Sequence, residues 1–208
     1  FLSIIKNLEC RFLSNMLENK KYDFLIVGAG IIGLTIAYEL MKRNSKLKIV
    51  IIEKEDDVAK HASGRNSGVL HAGFYYTENS LKAMLTKLGN KKMKEFCYNN
   101  NIKVNETEKI VVAQNKEELK TIDELFRRAK KNGVDVSIIY SEDVKKIDPN
   151  IKTYKKALYS PSTASVDPKQ VCYKLKENLI DKGVDFKFNY GFDSIDFEYH
   201  HLNNCAGL

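Results

Sequence analysis

A glycine-rich turn, "GAGIIG" at residues 28–33, constrains the fold of this chain more than any other feature. It closes "YDFLIVGAG" (22–30), whose apolar, β-branched run predicts a buried strand. "IIGLTIAYELMKRN" (31–44) has the pattern of a helix, and "LKIVIIEK" (47–54) predicts a second buried strand. Strand, turn, helix and strand in this order predict a βαβ unit, and therefore a parallel sheet.

The spacing of the three glycines in this turn predicts a dinucleotide site. Gly28 permits a tight turn, Gly30 lets a pyrophosphate approach the backbone, and Gly33 lets the helix pack closely on the strand. The helix N-terminus supplies N–H groups and partial positive charge for the phosphates. Glu53 ends the second strand, where a carboxylate accepts hydrogen bonds from an adenosine ribose. The pattern suits both FAD and NAD, and the acid disfavours a 2′-phosphate.

The rest of the chain also alternates between predicted helices and strands, which indicates an α/β protein. Further predicted elements are a helix from Leu81 to about residue 98 with Leu81, Met84, Leu85 and Leu88 on one face, a strand at 102–114, a helix at 116–131, a strand at 134–140, a short helix from Ser141, a strand and turn at 156–168, a helix from Pro168 that ends at Gly183, and a strand at 184–190.

Charge and cysteine content limit the possible partners and compartments. Lys and Arg number 34 against 27 Asp and Glu, but the excess forms no run, so it favours solvated surface lysine over a nucleic-acid patch. Peripheral association with an anionic membrane stays open. The four cysteines lack metal-ligand spacing, so we expect free thiols, no metal site and a cytoplasmic location. Residues 1–21 form an N-terminal extension of helical spacing; a transit peptide, and hence a mitochondrial location, is the alternative.

The segment "HASGRNSGVLHAGFYY" (61–76) is too rich in glycine for a stable helix and too polar for a buried strand. In a two-strand dinucleotide fold, the segment after the ribose-binding acid runs back over the cofactor. "SGRNSG" offers small residues for close approach, together with hydroxyl, amide and guanidinium donors. The alternative interpretation is a polar surface loop whose side chains form hydrogen bonds only within the turns of the loop itself.

This segment resembles the flavin-contacting loop of the D-amino-acid-oxidase-like FAD oxidoreductases. Within that superfamily it is similar to the signature of the L-2-hydroxyglutarate dehydrogenase/oxidase family. "SLKAMLTKLG", "STASVDP" and the terminal "CAGL" fit the same family, so the resemblance runs from Tyr22 to Leu208. It implies FAD as the cofactor and oxidation of (S)-2-hydroxyglutarate to 2-oxoglutarate, with electrons passing to a quinone or another acceptor.

The resemblance also implies a domain organisation. A Rossmann-like FAD-binding domain would comprise residues 22–100 and 166–208, and a partial α+β substrate domain residues 101–165. Only about ten residues separate "VDFKFNYGFDSID" from "CAGL", fewer than in the family, and the family continues beyond "CAGL". We therefore expect a truncated member of the family.

The site residues that the resemblance implies lie in the glycine turn, at the end of the second strand, in the 61–76 segment and in "CAGL". The expected FAD contacts are Gly28, Gly30, Ile32, Gly33, Glu53, Lys54, Ser63, Gly64, Arg65, Asn66, Ser67, Gly68, Ala206 and Gly207. Phe74, Tyr75 and Tyr76 either wall the substrate cavity or pack in a core, and Arg65 and Lys82 are candidate partners for a substrate carboxylate.

His71 is the candidate catalytic residue. Oxidation of a 2-hydroxy acid needs a base for the hydroxyl proton, and a histidine suits that role near neutral pH. A hydrogen-bonded core histidine and a covalent flavin link are the alternatives for this residue. For the whole chain, the alternatives are another enzyme of the superfamily, acting on glycerol 3-phosphate or an amino acid, and a non-catalytic nucleotide-binding fragment.

Overall fold

The computed structural model describes residues 20–207, which form two compact units. The first unit comprises residues 20–66 and 168–207, and the second comprises residues 67–167. The helical lead-in predicted near the N-terminus lies outside the described residues. Residues 67–100, which the resemblance assigned to the FAD-binding domain, belong to the second compact unit.

The described elements follow one another in an order close to the predicted one. In chain order they are β1 (Lys21–Val27), α1 (Ile31–Arg43), β2 (Ile49–Ile52), a 3-10 turn (Ala62–Gly64), β3 (Val69–Leu70), α2 (Leu81–Asn99), β4 (Val104–Asn105), β5 (Lys109–Val112), α3 (Glu118–Lys131), β6 (Ser137–Tyr140), α4 (Ser141–Ile147), β7 (Lys156–Ser160), β8 (Ala164–Val166), α5 (Pro168–Ile180), β9 (Asp185–Lys187), a second 3-10 turn (Phe192–Ser194) and β10 (Glu198–Asn204).

The first unit is built on a four-stranded parallel sheet with the order β10-β1-β2-β9. Val27, the last residue of β1, pairs with Ile52 on one side and with Asn204 on the other. Three strands therefore end in register, and the residues that follow them meet at one edge of the sheet. The predicted βαβ unit with its parallel sheet is confirmed.

Burial explains why the central strands read as continuous apolar runs. All four residues of β2, "IVII", are buried, as expected for a strand covered on both faces. Helix α1 buries Leu34, Ala37 and Met41 at helical spacing and packs against α5. The lysine and arginine at positions 42 and 43 complement the negative end of the α1 dipole.

The second unit contains two three-stranded antiparallel sheets, with the orders β3-β8-β4 and β5-β7-β6. Helix α3 lies on β7 and contributes Ile122, Leu125 and Ala129 to the core of this unit. The prediction of one strand at 102–114 is wrong. The segment divides into β4 and β5, which join different sheets, and Glu108 between them has a positive φ of 57° that breaks the extended run.

Helix α2 exposes the apolar face that its periodicity defined. Leu81, Met84, Leu85 and Leu88 are 71%, 56%, 57% and 47% exposed, whereas the buried residues of this helix include Ala83. The predicted helix is confirmed, but its apolar stripe is not part of the described core. Among residues 20–207, no helix combines the length and the apolar character that a membrane span requires.

Candidate functional site

A cavity of about 620 Å³ lies at the carboxyl edge of the parallel sheet, within the first unit. Its volume falls within the range of small-molecule and cofactor sites, and the edge is where open parallel sheets bind ligands. The lining residues include eight of the predicted FAD contacts, Gly28, Gly30, Ile32, Glu53, Lys54, Ser63, Ala206 and Gly207. Eight of the fourteen residues predicted from the sequence therefore share one concave site.

Close approaches to backbone atoms require glycine at two positions of the turn, and the third glycine lies against a serine side chain. Gly28 has a φ of +102°, and a Cβ there would lie 2.7 Å from the carbonyl oxygen of Cys205. A Cβ on Gly33 would lie 2.0 Å from the carbonyl oxygen of Gly28, so the helix rests directly on the turn. A Cβ on Gly30 would lie 3.0 Å from Ser63 Oγ. The 61–76 segment thus reaches the glycine turn through Ser63.

The N-terminus of α1 carries donors that suit a phosphate group. Gly30, at the N-cap, provides no side-chain cap, and the first turn contains no acidic residue. The backbone N–H of Ile31 donates to Ser63 Oγ at 2.9 Å. In the described part of the chain, no atom accepts a hydrogen bond from the backbone N–H groups of Ile32 and Gly33. The positive end of this helix therefore remains available to an anion.

Glu53 lies at the cavity wall and also fixes the shape of the turn. Its Oε2 accepts a hydrogen bond from the Ala29 backbone N–H at 2.7 Å, and its Oε1 accepts one from the Glu55 N–H at 3.1 Å. Each carboxylate oxygen has two lone pairs, so acceptor capacity remains for hydroxyl groups of a ligand. The cavity offers N–H donors at the α1 N-terminus and the Glu53 carboxylate as an acceptor, and these groups fit the pyrophosphate and the ribose of FAD.

Three basic side chains line the cavity near Glu53. His61 Nε2 lies 2.7 Å from Glu55 Oε1, and Lys60 pairs with Asp56 at 2.7 Å. The hydrogen bond with Asp56 raises the pKa of Lys60, although partial desolvation opposes that shift. Lys54 has no carboxylate partner among residues 20–207. It is therefore the cavity lysine most available to a ligand.

Six predicted FAD contacts do not line the cavity: Gly33, Gly64, Arg65, Asn66, Ser67 and Gly68. Gly64 has a packing role, because a Cβ there would lie 2.0 Å from the carbonyl oxygen of Ala59. Asn66 Nδ2 donates to the carbonyl oxygens of Ala62 and Ser63, each at 3.0 Å, and so stabilises the 3-10 turn. Local hydrogen bonds of this kind are what a self-contained polar loop makes, and the contact of Gly64 and Asn66 with FAD stays a prediction.

The other four residues of this group differ in position. Arg65 is exposed, and its guanidinium makes no hydrogen bond or ion pair to the described residues. Ser67 and Gly68 belong to the second unit, and Gly33 lies beneath the turn. Their contact with FAD stays a prediction.

Sequence patterns missed the cavity residues Tyr190, Gly191 and Phe192. They follow β9, which pairs with β2 and therefore ends at the same edge as Glu53. Burial, a 2.7 Å hydrogen bond to Asp196 and the charge of that carboxylate raise the pKa of Tyr190 to about 12. Tyr190 is thus a neutral hydroxyl at physiological pH. Knowledge of the strand order would have predicted these residues, but the strand order cannot be derived from local periodicity.

His71 lies in the second unit, directly after β3, and is exposed. Its carbonyl oxygen accepts a hydrogen bond from Asn90 Nδ2 at 3.3 Å, but its ring makes none with the described residues. It is therefore not a hydrogen-bonded core histidine. Desolvation and the positive charge of Lys109 lower the pKa of the imidazole, which favours the neutral, basic form at neutral pH.

The aromatic residues after His71 divide between core and surface. Phe74 is 1% exposed and lies in the core cluster of the second unit. Tyr75 packs partly against that cluster, with its ring centroid 4.3 Å from that of Phe74. Tyr76 is half-buried, and the ammonium of Lys82 lies 4.7 Å from its ring centroid. Core packing is thus the observed role of Phe74.

Comparison with known protein families gives a match to the family described as FAD-dependent oxidoreductase over residues 23–205. The chain belongs to the FAD-dependent oxidoreductase family. The match contains both the glycine turn and the 61–76 segment. The predicted family and α/β fold class are confirmed, and FAD is the cofactor that the family description names.

Two similar curated proteins carry the name "L-2-hydroxyglutarate dehydrogenase, mitochondrial". The protein from Dictyostelium discoideum is 39% identical over 95% of this chain and 46% of its own length. The protein from Caenorhabditis briggsae is also 39% identical, over 92% of this chain and 49% of its own length. The chain thus spans about half the length of the curated relatives it matches.

A solved structure supports the fold independently. The L-α-glycerophosphate oxidase from Mycoplasma pneumoniae, in its dithionite-reduced form with FAD bound, superposes with a TM-score of 0.75. It is 26% identical, and the match covers 82% of this chain and 45% of the oxidase.

Proposed function

We propose that this protein binds FAD in the cavity of its first unit and oxidises (S)-2-hydroxyglutarate to 2-oxoglutarate. The observation that carries the proposal is the convergence of predicted FAD contacts on one cavity at the N-terminus of α1, where the Ile32 N–H has no acceptor among the described residues. The N–H group of Ile32 would hold the pyrophosphate, Glu53 would hold the ribose, and Lys54 would neutralise phosphate charge.

When bound, FAD would supply the acceptor for the hydride that leaves C2 of the hydroxy acid. His71 would take the hydroxyl proton on a free ring nitrogen, so that the C2–O bond becomes a carbonyl as the C2–H bond breaks. The lowered pKa of His71 supports this role, because the imidazole must be neutral to accept a proton. The proposed products are 2-oxoglutarate, protonated His71 and the two-electron-reduced cofactor.

The substrate assignment is supported by the names of the relatives that are 39% identical to this chain. Those names also favour a mitochondrial location over the predicted cytoplasmic one. A quinone or another acceptor would then take the electrons, and the protein would associate peripherally with a membrane. A glycerol 3-phosphate substrate is the second candidate, because the FAD-bound structural relative is a glycerophosphate oxidase.

Cofactor binding is tested first, by titrating the purified chain with FAD and following flavin fluorescence. Glu53→Gln removes a charged acceptor, so we expect about tenfold weaker binding, the effect of losing about 1.5 kcal/mol. Glu117→Gln is the matched control, because Glu117 is exposed and lies in the second unit. A wild-type chain that quenches no flavin fluorescence would overturn the proposal.

Substrate choice is tested by anaerobic reduction of the bound flavin, read as loss of its visible absorbance. We expect bleaching by (S)-2-hydroxyglutarate and much slower bleaching by the R enantiomer, glycerol 3-phosphate or amino acids. Bleaching by an amino acid alone would transfer the assignment to the amino-acid oxidases. A chain that binds FAD but is reduced by none of these compounds would support the non-catalytic alternative.

A further inference from the structure

The segment that follows β9 brings an exposed aromatic side chain to the cavity of the first unit. Phe192 begins the second 3-10 turn and lines the cavity together with Tyr190 and Gly191. Although phenylalanine is apolar, Phe192 is 49% exposed. The fold therefore holds an apolar ring at the wall of the site without burying it.

This segment is joined to Glu53 by backbone hydrogen bonds. The Tyr190 N–H donates to the carbonyl oxygen of Glu53 at 2.9 Å. The Glu53 N–H donates in turn to the carbonyl oxygen of Lys187, also at 2.9 Å. Phe192 is only two residues beyond Tyr190, so these bonds fix the start of its turn beside the Glu53 backbone.

Tyr190 also lines the cavity, but other side chains already contact its ring. The ring stacks on that of Phe197 with the centroids 6.3 Å apart, and the Lys187 ammonium lies 4.7 Å from its centroid. The hydroxyl group donates to Asp196 at 2.7 Å. Tyr190 is thus held against the core of the first unit and serves to anchor the segment.

The ring of Phe192 has no such neighbours in the described part of the chain. There, no aromatic ring stacks on Phe192 and no cation lies over it. It is also not among the side chains that pack against the core cluster around Phe197. A planar base that stacks on an aromatic side chain removes the face of that ring from water. Phe192 is therefore available to a planar group of a ligand.

We propose that Phe192 stacks on the adenine ring of FAD and forms the base-binding part of the cavity. This inference rests on the proposed function, in which Glu53 holds the ribose of the adenosine half. Adenine is bonded directly to that ribose, so it lies close to Glu53. The hydrogen bond between Tyr190 and Glu53 brings the Phe192 turn to the same place.

The flavin is the other planar ring system of FAD, and the site disfavours it as the partner of Phe192. The flavin is joined to the adenosine half through the pyrophosphate, which the Ile32 N–H would hold at the N-terminus of α1. The adenine is therefore closer along the cofactor to the group that Glu53 binds. Phe192 thus recognises the nucleotide half, which takes no part in the oxidation itself.

The first test uses a fluorescent reporter at position 192. The chain contains no tryptophan, so Phe192→Trp introduces a single indole. We expect ADP, which carries the adenosine half without the flavin, to compete with FAD and to quench this indole by stacking. Tyr140→Trp is the matched control, because Tyr140 is 63% exposed and lies in the second unit. ADP that does not compete with FAD, or that leaves the Phe192→Trp reporter unquenched, would overturn the subsite.

A second set of variants separates stacking from apolar cover. Phe192→Leu keeps an apolar side chain without a ring, so FAD should bind about tenfold more weakly in a titration followed by flavin fluorescence. Phe192→Tyr keeps the ring and should retain the wild-type affinity, as should Tyr140→Leu. Because Phe192 is half exposed, none of these changes should shift urea denaturation in the absence of FAD. Wild-type affinity in Phe192→Leu would reject stacking.

The subsite and the proposed function fail in distinguishable ways. Quenching of the Phe192→Trp reporter by ADP, on a chain whose flavin is not reduced by 2-hydroxyglutarate, would retain the subsite and reject the oxidation. Reduction of the flavin by 2-hydroxyglutarate, with equal FAD affinity in the wild type and in Phe192→Leu, would retain the oxidation and reject the subsite.

Discussion

Backbone carbonyl oxygens, more than side chains, decide which glycines of this chain are irreplaceable. The carbonyls of Gly28 and Ala59 occupy the positions where Cβ atoms of Gly33 and Gly64 would stand, at 2.0 Å in both cases. A methyl group added at Gly89, in the interior of α2, would meet no described atom within 4 Å apart from its chain neighbours and the backbone of its own helix. A glycine in a segment predicted to bind a cofactor can therefore be required by packing, as Gly64 is.

Gly64→Ala should destabilise the chain even without FAD, because the added methyl group displaces the backbone at Ala59. We expect the free energy of unfolding to fall by about 1–3 kcal/mol, as for overpacking in a core, measured by urea denaturation. Gly89→Ala is the control and should raise it by about 0.5–1 kcal/mol, since alanine is the better helix former. A loss in Gly64→Ala that appears only with FAD present would contradict the packing role.

Sequence reasoning located the residues whose positions follow from local spacing. Gly28, Gly30 and Glu53 line the cavity, as a βαβ unit places them at one sheet edge wherever it occurs, and their contact with FAD stays a prediction. Tyr190 and Phe192 were missed because they reach the cavity only through the pairing of β9 with β2, a contact between distant segments. Local periodicity carries no information about such strand order.

At the scale of elements, an ion pair joins the segment after β2 to helix α5. Asp57 Oδ1 lies 2.6 Å from Lys176 Nζ, and both side chains are largely shielded from solvent. Desolvation alone would raise the pKa of Asp57. The hydrogen bonds from Lys176 and from the Val58 N–H, with the Lys176 charge, outweigh it and lower the pKa. This contact helps to fix one wall of the cavity.

Asp57→Asn removes the ion pair and should lower the free energy of unfolding by about 1 kcal/mol at pH 7. The loss is no larger because solvent weakens a partly exposed pair. The pKa of Asp57 is lower in the folded state than in the unfolded chain. The pair therefore stabilises the folded state fully at pH values above the pKa that Asp57 has in the unfolded chain. That contribution is lost as the pH falls through the folded-state pKa. Denaturation curves for the two proteins should therefore converge in strong acid. Asp56→Asn, which removes an exposed pair, should change stability less than Asp57→Asn at pH 7.

Helix α2 shows why an element can be predicted correctly while its environment is not. Its periodicity established that Leu81, Met84, Leu85 and Leu88 share a face, but periodicity does not reveal what covers that face. In the described residues these side chains are exposed, and an apolar stripe of this kind promotes self-association.

The double substitution Leu81→Gln with Leu85→Gln should reduce self-association of the purified chain, read as lower light scattering at high concentration. Both side chains are exposed, so the unfolding temperature should stay within about 2 °C of the wild type, as for surface changes of about 0.5 kcal/mol. Ala83→Gln, on the buried side of the same helix, is the control and should lower the unfolding temperature. Unchanged scattering in the double variant would show that association occurs elsewhere.

For the whole molecule, the cavity lies in one unit, so its ligand should stabilise that unit selectively. At a free FAD concentration one hundred times the Kd, binding should stabilise the chain by about 2.7 kcal/mol. The unfolding temperature should then rise by about 5–10 °C for a chain of this size. An equal shift with NAD would contradict the choice of cofactor.

Hydrogen exchange locates the same effect along the chain. Peptides covering 26–33, 52–63 and 190–207 should gain protection with FAD, since they contain the cavity wall. The α3 peptide, 118–131, serves as the internal control. Protection at 64–68 would test the remaining predicted contacts, and equal protection in every peptide would reject a localised site.

The position of β10 sets the timing of assembly during synthesis. Strand β1 is among the first described elements to leave the ribosome, yet one of its two neighbours, β10, is the last. Until β10 emerges, β1 has an open edge and the carbonyl of Cys205 does not yet cover Gly28. Contacts of such long sequence separation form late. Nascent chains should therefore acquire flavin only after β10 has left the ribosome.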